Sequence, residues 1–564
     1  MTDNLLFEHF ATLATAPEGI ARLRELILQL AVRGKLGTQD AGDEPASVLA
    51  KNIRKEKERL VNAGKIRNEK SLDPITETAI PYQIPKNCTW MRFGELGQVV
   101  GGGTPRTTNP AYYVTHGIPW LTPADLYRHK DKYVGRGKKD ISEDGLKDSS
   151  AQLLPKGAVL FSSRAPIGYV AIASNSLSTN QGFKSCVPYV IEMSEYIYYF
   201  LVSAAKEIDA KASGTTFKEV SGQEVKHILF PLPPLAEQHR IVAKVDRLMA
   251  LCDELEARQQ QERAGCFKLG TASLAGLHNA ESPEEFEAQW AQVCDAFDLI
   301  LDCPENVAVL RQTILQLAVQ GRLRTQNPKD EPADELFSRI KKEREQVVKG
   351  KPIVIRPLEN PKLHTLPDHW IWVRLGDVLA DIRYGTSEKS DPQFRGIPVI
   401  RIPNIGNGIL NFNDMKYLQI KDEIDTHKIK NGDLLTIRSN GSRDLVGKCA
   451  VAKNIDRSVA FASYLIRLRP ILVNSEFLAL ALSSQNVRDQ FFLSAKTTTG
   501  VHNINTEELA RTMLALPPLA EQHRIVAKVD ALMALCDALE SRLKERAGVQ
   551  GRLAGAVVKQ VAGE

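Results

Sequence analysis

Two basic loops carry residues whose chemistry suits a polyanion. Arg128–Lys139 (RHKDKYVGRGKK) holds six Lys or Arg residues against one acid, Asp131. In the second half, Arg438, Asn440, Ser442 and Arg443 follow one another on a glycine-containing loop. Lys and Arg neutralise phosphates, while Arg and Asn read base edges through paired hydrogen bonds. Either stretch alone could be a solvated loop, but their presence in both halves favours binding to DNA.

Hydroxyl- and amide-rich segments extend this set. They are Thr104–Asn109 (TPRTTN), Ser213–Lys218 (SGTTFK) and Thr497–Asn505 (TTTGVHNIN), for which ordinary turn chemistry is the alternative. The candidate DNA contacts are Thr104, Arg106, Thr107, Asn109, Arg128, Lys130, Lys132, Arg136, Lys138, Lys139, Arg164, Thr215, Thr216, Lys218, Arg383, Lys389, Arg401, Arg438, Asn440, Ser442, Arg443, His502 and Asn503.

Motifs for catalysis are missing. Gly441–Lys448 has one residue too many for a phosphate-binding loop, and Cys449 stands where Ser or Thr is needed. Asn109–Tyr112 (NPAY) resembles an amino-methyltransferase motif, but Ala111 replaces its second proline. The histidines lack metal-ligand spacing, and no paired-carboxylate cluster stands out. The sequence predicts a chain without catalytic residues or a metal site.

A duplicated segment organises the chain. Leu232–Arg258 (LPPLAEQHRIVAKVDRLMALCDELEAR) and Leu516–Arg542 (LPPLAEQHRIVAKVDALMALCDALESR) agree at 24 of 27 positions. They lie 284 residues apart, which is half the molecule and therefore the duplication of a whole unit. Two near-identical surfaces on one chain are what a protein needs to hold two copies of one partner.

A second repeated pair precedes each variable region. Leu23–Leu49 returns as Leu310–Leu336, with ILQLAV and DEP kept intact. The intervening segments, Tyr82–Pro231 and Leu366–Leu516, diverge strongly and are rich in Gly, Pro, Thr and Tyr. Their short apolar runs after glycine turns predict mixed α+β domains with a curved sheet. Repeated ends around divergent middles indicate one scaffold that carries two modules of different specificity.

The duplicated segment predicts a long helix. Prolines suit a helix start, and the apolar residues that follow recur at spacings of 4-3-4-3, which is a coiled-coil seam. From about Leu235 to Leu269 the helix would run roughly 50 Å. Ile27–Val32 and Ile314–Val319 are the expected packing partners. The two seams would lie antiparallel, or each would pair with its neighbouring half.

Polar residues between the seams match as closely as the seams do. A simple helical hairpin would explain the heptads, but exposed positions would then be free to diverge, so identity at 237–240 and 521–524 favours partner docking. The residues expected on the polar faces are Glu237, His239, Arg240, Lys244 and Asp246. The candidate partner and scaffold residues are Glu237, Gln238, His239, Arg240, Ile241, Val245, Leu248, Leu255, Glu521, Gln522, His523, Arg524, Ile525, Val529, Leu532 and Leu539.

Composition sets broad limits. The 564 residues allow three or four domains, and a net charge of +5 is too small to prove a polyanion partner by itself. Eight cysteines without a CxxC pair predict reduced thiols in a cytoplasmic protein, with Cys252 and Cys536 in the core. No apolar run reaches the roughly 18–20 residues of a membrane span, and no leader is expected. The acidic segment Glu281–Glu305 is interpreted as a connector with no assigned chemistry.

Together these features resemble the specificity subunit of type I restriction–modification systems. The resemblance covers essentially the whole chain and rests on the two LPPLAEQHRIV segments, supported by the Trp-x-x-x-Gly entries at Trp90 and Trp372. It implies an α+β fold: two target recognition domains joined by long helices that form a coiled-coil spacer, with a pseudo-twofold internal repeat. The expected domains are an N-terminal helical region (1–80), recognition domain 1 (81–231), a central helical region with the connector (232–358), recognition domain 2 (359–515) and a C-terminal helical region (516–564).

The resemblance also implies partners. Each recognition domain would read one half of a bipartite, asymmetric sequence in double-stranded DNA. The helices would dock two methyltransferase subunits and, through the complex, two restriction (motor and nuclease) subunits. S-adenosylmethionine, ATP and Mg²⁺ would be used by those subunits, and no cofactor would bind this chain.

Two other functions fit parts of the pattern. A duplicated coiled coil could bridge two identical proteins without DNA, which a filter-binding assay in the presence of the partner would reveal. A chain with its own methyltransferase activity would transfer labelled methyl groups alone, and the missing motifs argue against it.

Overall fold

The computed structural model describes residues 10–164, 166–212, 218–347, 364–406, 408–419, 426–492 and 502–562. It divides into two compact units, one running to Gln260 and including the C-terminal segment from Arg546, the other spanning Gln261–Glu545. Each unit contains one copy of the duplicated helix start and one divergent module, so each copy folds around its own core.

The first unit begins with helices α1 (Phe10–Thr15), α2 (Gly19–Val32) and α3 (Ala46–Asn62). Its module follows as β1 (Thr89–Arg92), α4 (Phe93–Leu96), β2 (Gly97–Gly101), β3 (Tyr113–Val114), β4 (Ile118–Leu121), β5 (Tyr133–Val134), β6 (Lys139–Ile141), α5 (Glu143–Lys147), β7 (Val159–Phe161), β8 (Val170–Ala173), β9 (Ser178–Thr179), β10 (Lys184–Pro188), α6 (Ser194–Lys211), α7 (Gly222–His227) and β11 (Leu229–Leu232). The long helix α8 (Leu235–Asn279) starts directly after it.

The second unit continues with the connector helices α9 (Pro283–Asp295) and α10 (Phe297–Leu301), then α11 (Glu305–Val319) and α12 (Ala333–Val347). Its module contains β12 (Ile371–Arg374), β13 (Leu379–Tyr384), β14 (Ser390–Asp391), β15 (Ile397–Ile400), β16 (Gly408–Ile409), β17 (Lys416–Leu418), β18 (Leu434–Ile437), β19 (Ser439–Asn440), β20 (Cys449–Val451), β21 (Ala460–Phe461), β22 (Leu465–Pro470), α13 (Ser475–Ser483), α14 (Gln485–Phe492), β23 (His502–Asn503), α15 (Thr506–Arg511) and β24 (Met513–Leu516). Helix α16 (Leu519–Ala562) ends the chain's described part.

The two modules share one strand order. In the first, a five-stranded sheet runs β2-β10-β7-β8-β5 and a four-stranded sheet runs β3-β6-β4-β9. The second repeats them as β13-β22-β18-β20-β16 and β14-β17-β15-β21. Both sheets are mixed, since β5 joins β8 and β4 joins β9 in parallel while the other pairs are antiparallel. The predicted α+β class and internal repeat are confirmed.

The first and last strands of each module pair with each other. Trp90 on β1 lies opposite Pro231 on β11, and Trp372 on β12 lies opposite Ala515 on β24. The pairing closes the module at its base, where the chain joins the helices. This pairing allows the sequence of the module to diverge while the repeated helices stay the same.

The heptad seams pack within their own halves. Ile241 and Val245 of α8 join Leu23, Ile27 and Leu30 of α2 in one apolar cluster. Ile525 and Val529 of α16 join Val307, Ile314 and Ala318 of α11 in the same way. Each seam therefore packs on a helix of its own half, and Ile27–Val32 and Ile314–Val319 are confirmed as partners. Burial of Cys252 and Cys536, at 1% and 3% exposed, confirms them as core residues.

Both long helices exceed the predicted length. Helix α8 has 45 residues and ends at Asn279, not near Leu269, and α16 has 44. The extra turns of α8 are held by the connector, because Leu274 and Leu277 pack on Val293 of α9 and Ile300 of α10. Each long helix begins in one unit and ends in the other, α8 crossing after Gln260 and α16 after Glu545. Within the described residues, no helix is long and apolar enough to cross a membrane.

Candidate nucleic-acid interface

The basic loop of the first module displays most of its cations. Lys130, Arg136, Lys138 and Lys139 are exposed, as is Arg128. Arg128 lies 5.1 Å from the centre of the Tyr127 ring, and Lys139 lies 5.6 Å from that of Tyr113. Arg136 makes one ion pair, at 3.4 Å, with Asp140. Five cations on one short loop are placed to meet phosphates.

Lys132 is the exception in this loop. Its side chain is only 16% exposed, and its Nζ lies 2.8 Å from a carboxylate oxygen of Asp246 on α8. The prediction that Lys132 contacts DNA is wrong for this arrangement, because the ammonium is already paired inside the unit. Asp246, expected on a polar face, is its partner.

The Thr104–Asn109 loop is partly explained by turn chemistry. The Asn109 side-chain oxygen Oδ1 accepts a hydrogen bond from the Ala111 backbone N–H at 3.2 Å and caps the short 3₁₀ helix that follows. The Thr104 hydroxyl donates to Gln181. Arg106 and Thr107 are exposed, and Arg106 has one distant acidic neighbour, Asp148 at 3.9 Å. Arg106 is thus the residue of this loop best placed for a phosphate.

The remaining first-module candidates are Arg164, Thr215, Thr216 and Lys218. Arg164 is exposed, and its backbone forms an isolated antiparallel β-bridge with Glu219. Lys218 is about half exposed and donates to the Asp209 carbonyl oxygen at 3.3 Å. Thr215 and Thr216 lie outside the described residues.

In the second module, a two-stranded ribbon joins two of the predicted loops. Asn440 on β19 lies opposite His502 on β23, and Ser439 lies opposite Asn503. Arg438 lies 4.4 Å from the centre of the Tyr384 ring, and its Nε donates to the Asn503 side-chain oxygen at 3.1 Å. Loops more than 60 residues apart thus form one surface, which the sequence did not indicate. Residues 497–501 of the predicted loop lie outside the described part.

Other second-module candidates differ in availability. Ser442, Arg443 and Lys389 are exposed. Arg383 is 42% exposed and pairs with Asp381 at 3.3 Å. Arg401 is only 20% exposed and donates to the carbonyl oxygen of Asp414 at 2.5 Å, so it braces its own loop.

The repeated polar residues at the helix starts are mostly internal. Glu237 and Gln238 are 1% and 0% exposed, and Glu521 and Gln522 are 2% and 0%. The expectation that these four residues face outward is therefore wrong. Burial raises the pKa of both glutamates. Hydrogen bonds inside each unit explain why residues 237–238 and 521–522 are identical, and no external partner is needed to explain it.

The contacts are similar in the two units, with one different partner for each glutamate. Glu237 accepts from Thr38 at 3.2 Å and from Gln39 at 3.0 Å. Glu521 accepts from Thr325 at 2.9 Å and from the Trp370 indole at 2.8 Å. The amides of Gln238 and Gln522 each donate at 2.9 Å to the first proline of their Leu-Pro-Pro segment. Each helix start is thus fastened to the loop after α2 or α11.

An arginine completes each fastening. Arg240 donates through Nε to the Thr38 carbonyl at 2.9 Å and pairs with Asp43, which is 8% exposed. We expect Arg240→Ala to lower the free energy of unfolding by about 2 kcal/mol, because Asp43 is left buried without its cation. Urea unfolding measures this, with His239→Ala on the exposed side of the same turn as the control. Equal stability of the two variants would contradict the interpretation.

A different set of repeated residues faces outward on both helices. His239 and His523 are exposed, and so are the equivalent pairs Ala243/Ala527 and Ala250/Ala534. Leu251 and Leu535 are 44% and 66% exposed. Leu248, Leu255, Leu532 and Leu539 are instead partly buried in the unit cores and serve the frame. Leu251 and Leu535 were missed from the sequence because they lie outside the heptad seam; their exposure makes them candidates for docking.

The described residues contain no group of three or more His, Cys, Asp or Glu side chains arranged to hold a metal ion. The candidate binding features are the basic loops on the two modules and the matched exposed positions on the two long helices.

Known proteins with this organisation define its class. The domain described as the type I restriction modification DNA specificity domain matches residues 85–263 and 367–547, one match in each half. The chain belongs to the family of type I restriction–modification specificity subunits and has two DNA-recognition domains.

Relatives extend over nearly the whole chain. It is 30% identical to the type I restriction enzyme EcoAI specificity subunit of Escherichia coli, a match that covers 96% of this chain and 93% of the relative. It is 29% identical to the EcoEI specificity subunit of the same species, with the same coverage. Among solved structures, it is similar to a chain of a type I R-M system (21% identity, TM-score 0.47, 86% of this chain and 99% of the other). The HsdS subunit from Thermoanaerobacter tengcongensis is also similar (20% identity, TM-score 0.41, 85% and 98%).

Proposed function

We propose that this chain reads a bipartite, asymmetric DNA sequence, one half with each recognition domain. One observation carries the proposal: two modules have the same strand order but divergent sequences, and each displays cations on exposed loops. A common frame with unlike loops is what two different half-sites require. Phosphate contacts from Lys and Arg would set position, and contacts to base edges would set sequence.

The matched helix surfaces support the second part of the proposal. Two methyltransferase subunits would dock on the exposed repeated positions around His239 and Leu251 and around His523 and Leu535. Those subunits would supply S-adenosylmethionine and methylate an adenine in each half-site, which must leave the base stack. Two restriction subunits would join through the complex and use ATP and Mg²⁺. This chain would contribute recognition and no catalysis.

The test is DNA binding by the complex of this chain with its methyltransferase subunits. Genomic fragments that carry the methylated sequence should be retained on a filter over fragments that lack it, and the preference should disappear when this chain is omitted. Retention of both fragments alike would refute sequence reading. A complex that forms without any DNA retention would favour the protein-bridging alternative.

The basic loop gives a sharper prediction. Replacing Arg136, Lys138 and Lys139 together by Ala should weaken DNA binding and reduce the salt dependence by about one slope unit for each lost phosphate contact. Binding of the complex is measured across a salt series, with Lys51→Ala and Lys55→Ala on α3 as the control. Unchanged affinity and slope would exclude this loop from the interface.

A further inference from the structure

A cluster of polar side chains joins the first recognition domain to its long helix. Lys132, just before β5, places its Nζ 2.8 Å from Asp246 on α8 and 3.3 Å from Glu195 on α6. The same ammonium lies 4.9 Å from the centre of the Tyr199 ring. One buried cation thus links a strand of the recognition sheet to two helices.

Two tyrosines complete this cluster. The Tyr199 hydroxyl donates to Asp246, and the Tyr133 hydroxyl donates to Glu195. Desolvation, together with the hydrogen bond to Glu195, raises the pKa of Tyr133 to about 12, so the phenol keeps its donor proton. The five residues, Lys132, Tyr133, Glu195, Tyr199 and Asp246, are here named the latch. Charge-assisted hydrogen bonds of this kind are among the stronger polar contacts in proteins.

Strand register identifies the equivalent positions in the second domain. Tyr133 and Val159 both lie opposite Ile172, and Ile409 and Leu434 both lie opposite Val451. Ile409 therefore takes the place of Tyr133, and Gly408 takes the place of Lys132.

Helix α13 gives the remaining equivalences. Ser194 and Ser475 each donate, at 2.7 Å, to the carbonyl oxygen of the glycine that precedes their sheet strand by two residues. Glu476 and Leu480 consequently correspond to Glu195 and Tyr199. Asp530 corresponds to Asp246 through the duplicated helix sequence.

The second unit keeps the carboxylates, but its described residues form no latch. Gly408 has no side chain, and Leu480 has no hydroxyl with which to reach the helix. Glu476 pairs instead with Lys453. Asp530 is exposed, and no ion pair joins it to any residue that the structure describes in this unit. Among the described residues, the helix carboxylate therefore has a cation in the first unit and none in the second.

Apolar packing on the long helix is present in both units. Tyr196 of α6 and Ile241 of α8 belong to one cluster in the first unit, and the equivalent Phe477 of α13 and Ile525 of α16 belong to one cluster in the second. The second domain also contacts α16 through Asn474, whose backbone N–H donates to the Gln522 side-chain oxygen at 2.8 Å. The latch of the first unit is therefore an additional polar connection beside this common packing.

We propose that the latch fixes the orientation of the first recognition domain on α8 and so sets how strictly the spacing between the half-sites is enforced. This rests on the proposed function. Lys132 is a positioning residue in this account: it acts through Asp246 and Glu195 and does not contact DNA.

The experiment uses the complete methyltransferase complex and unmodified bacterial genomic DNA. The unaltered complex is compared with complexes in which this chain carries one substitution. The substitutions are Lys132→Met, Lys132→Arg, Asp246→Asn, Asp530→Asn and, as a matched exposed neighbour, Lys130→Met. Methylated positions are read by sequencing, and sites are sorted by spacer length. Hydrogen exchange of β5 in the DNA-free complex gives a readout that needs no target.

Lys132→Met and Asp246→Asn should raise methylation at spacers one base pair longer or shorter roughly five- to tenfold relative to the preferred spacer, a change on the scale of one net hydrogen bond. Exchange of β5 should quicken in both variants. Lys132→Arg keeps the cation and should keep the discrimination, and Asp530→Asn should change neither readout. Lys130→Met should lower methylation equally at all spacers.

An unchanged spacer preference in Lys132→Met with unchanged β5 exchange would overturn the proposal. So would a uniform loss at all spacers, because that is the behaviour of a DNA contact. If the unaltered complex methylated no bipartite sequence at all, the proposed function would fail, whereas β5 exchange would still report whether the latch holds the strand.

Discussion

Exchange of residues 95–215 for the equivalent segment of another family member should change one half of the methylated DNA sequence and leave the other half unaltered. The first recognition domain begins and ends with the β1–β11 pair, which the exchange keeps. The second domain, with its own sheets and core, is untouched. Each half-site should therefore follow its own domain.

The exchange removes four of the five latch residues together and leaves Asp246 in place. A donor domain that carries a cation at the position of Lys132 should keep the original spacer, and one that lacks it should accept neighbouring spacers. Methylome sequencing of the recombinant strain reads both features at once. Retention of both original half-sites would contradict the assignment of one domain to one half-site.

Insertion of four residues after Gln259 should abolish recognition of the original site, and a matched insertion after Glu545 should restore recognition with a longer spacer. Both long helices pass from one unit to the other at these points. An insertion in one helix alone therefore lengthens that helix relative to the other. Four residues add roughly 6 Å and little more than one helical turn, which nearly preserves the direction of the helical faces. At about 3.4 Å per base pair, the doubly lengthened chain should prefer a spacer roughly two base pairs longer.

A four-residue insertion between Ala280 and Glu281 is the control. That junction precedes α9 and lies outside both segments that match the DNA specificity domain, so the methylated sequence should not change. An unchanged spacer in the doubly lengthened chain would refute the idea that the helices measure the distance between half-sites.

Much of the frame was predictable because its signals are local or repeated. The duplicated Leu-Pro-Pro segments, the 4-3-4-3 spacing of Ile241 and Val245 and the divergent middles defined helices, seams and modules. Packing of the seams on Ile27–Val32 and Ile314–Val319 followed from the same repetition. Strand order did not follow, since several strands have only two residues and carry no alternation to recognise.

Polar residues were predicted least well, and the reason is distance along the chain. Glu237 is satisfied by Thr38, which is 199 residues away, and Lys132 by Asp246, which is 114 residues away. A sequence shows that such residues are charged but does not show which partner buries them. The identity of residues 237–238 and 521–522 was therefore interpreted as a docking surface, although these residues form hydrogen bonds inside their own units. Exposed Leu251 and Leu535, once the fold is known, are stronger docking candidates.

Methylation-sensitive sequencing of DNA modified by the complex tests the central claim most directly. Two unlike recognition domains on one chain predict a single motif with two different short half-sites, a fixed unspecified spacer and one methylated adenine in each half. A continuous motif, a symmetric one, or methylation that is unchanged when this chain is absent would contradict the account.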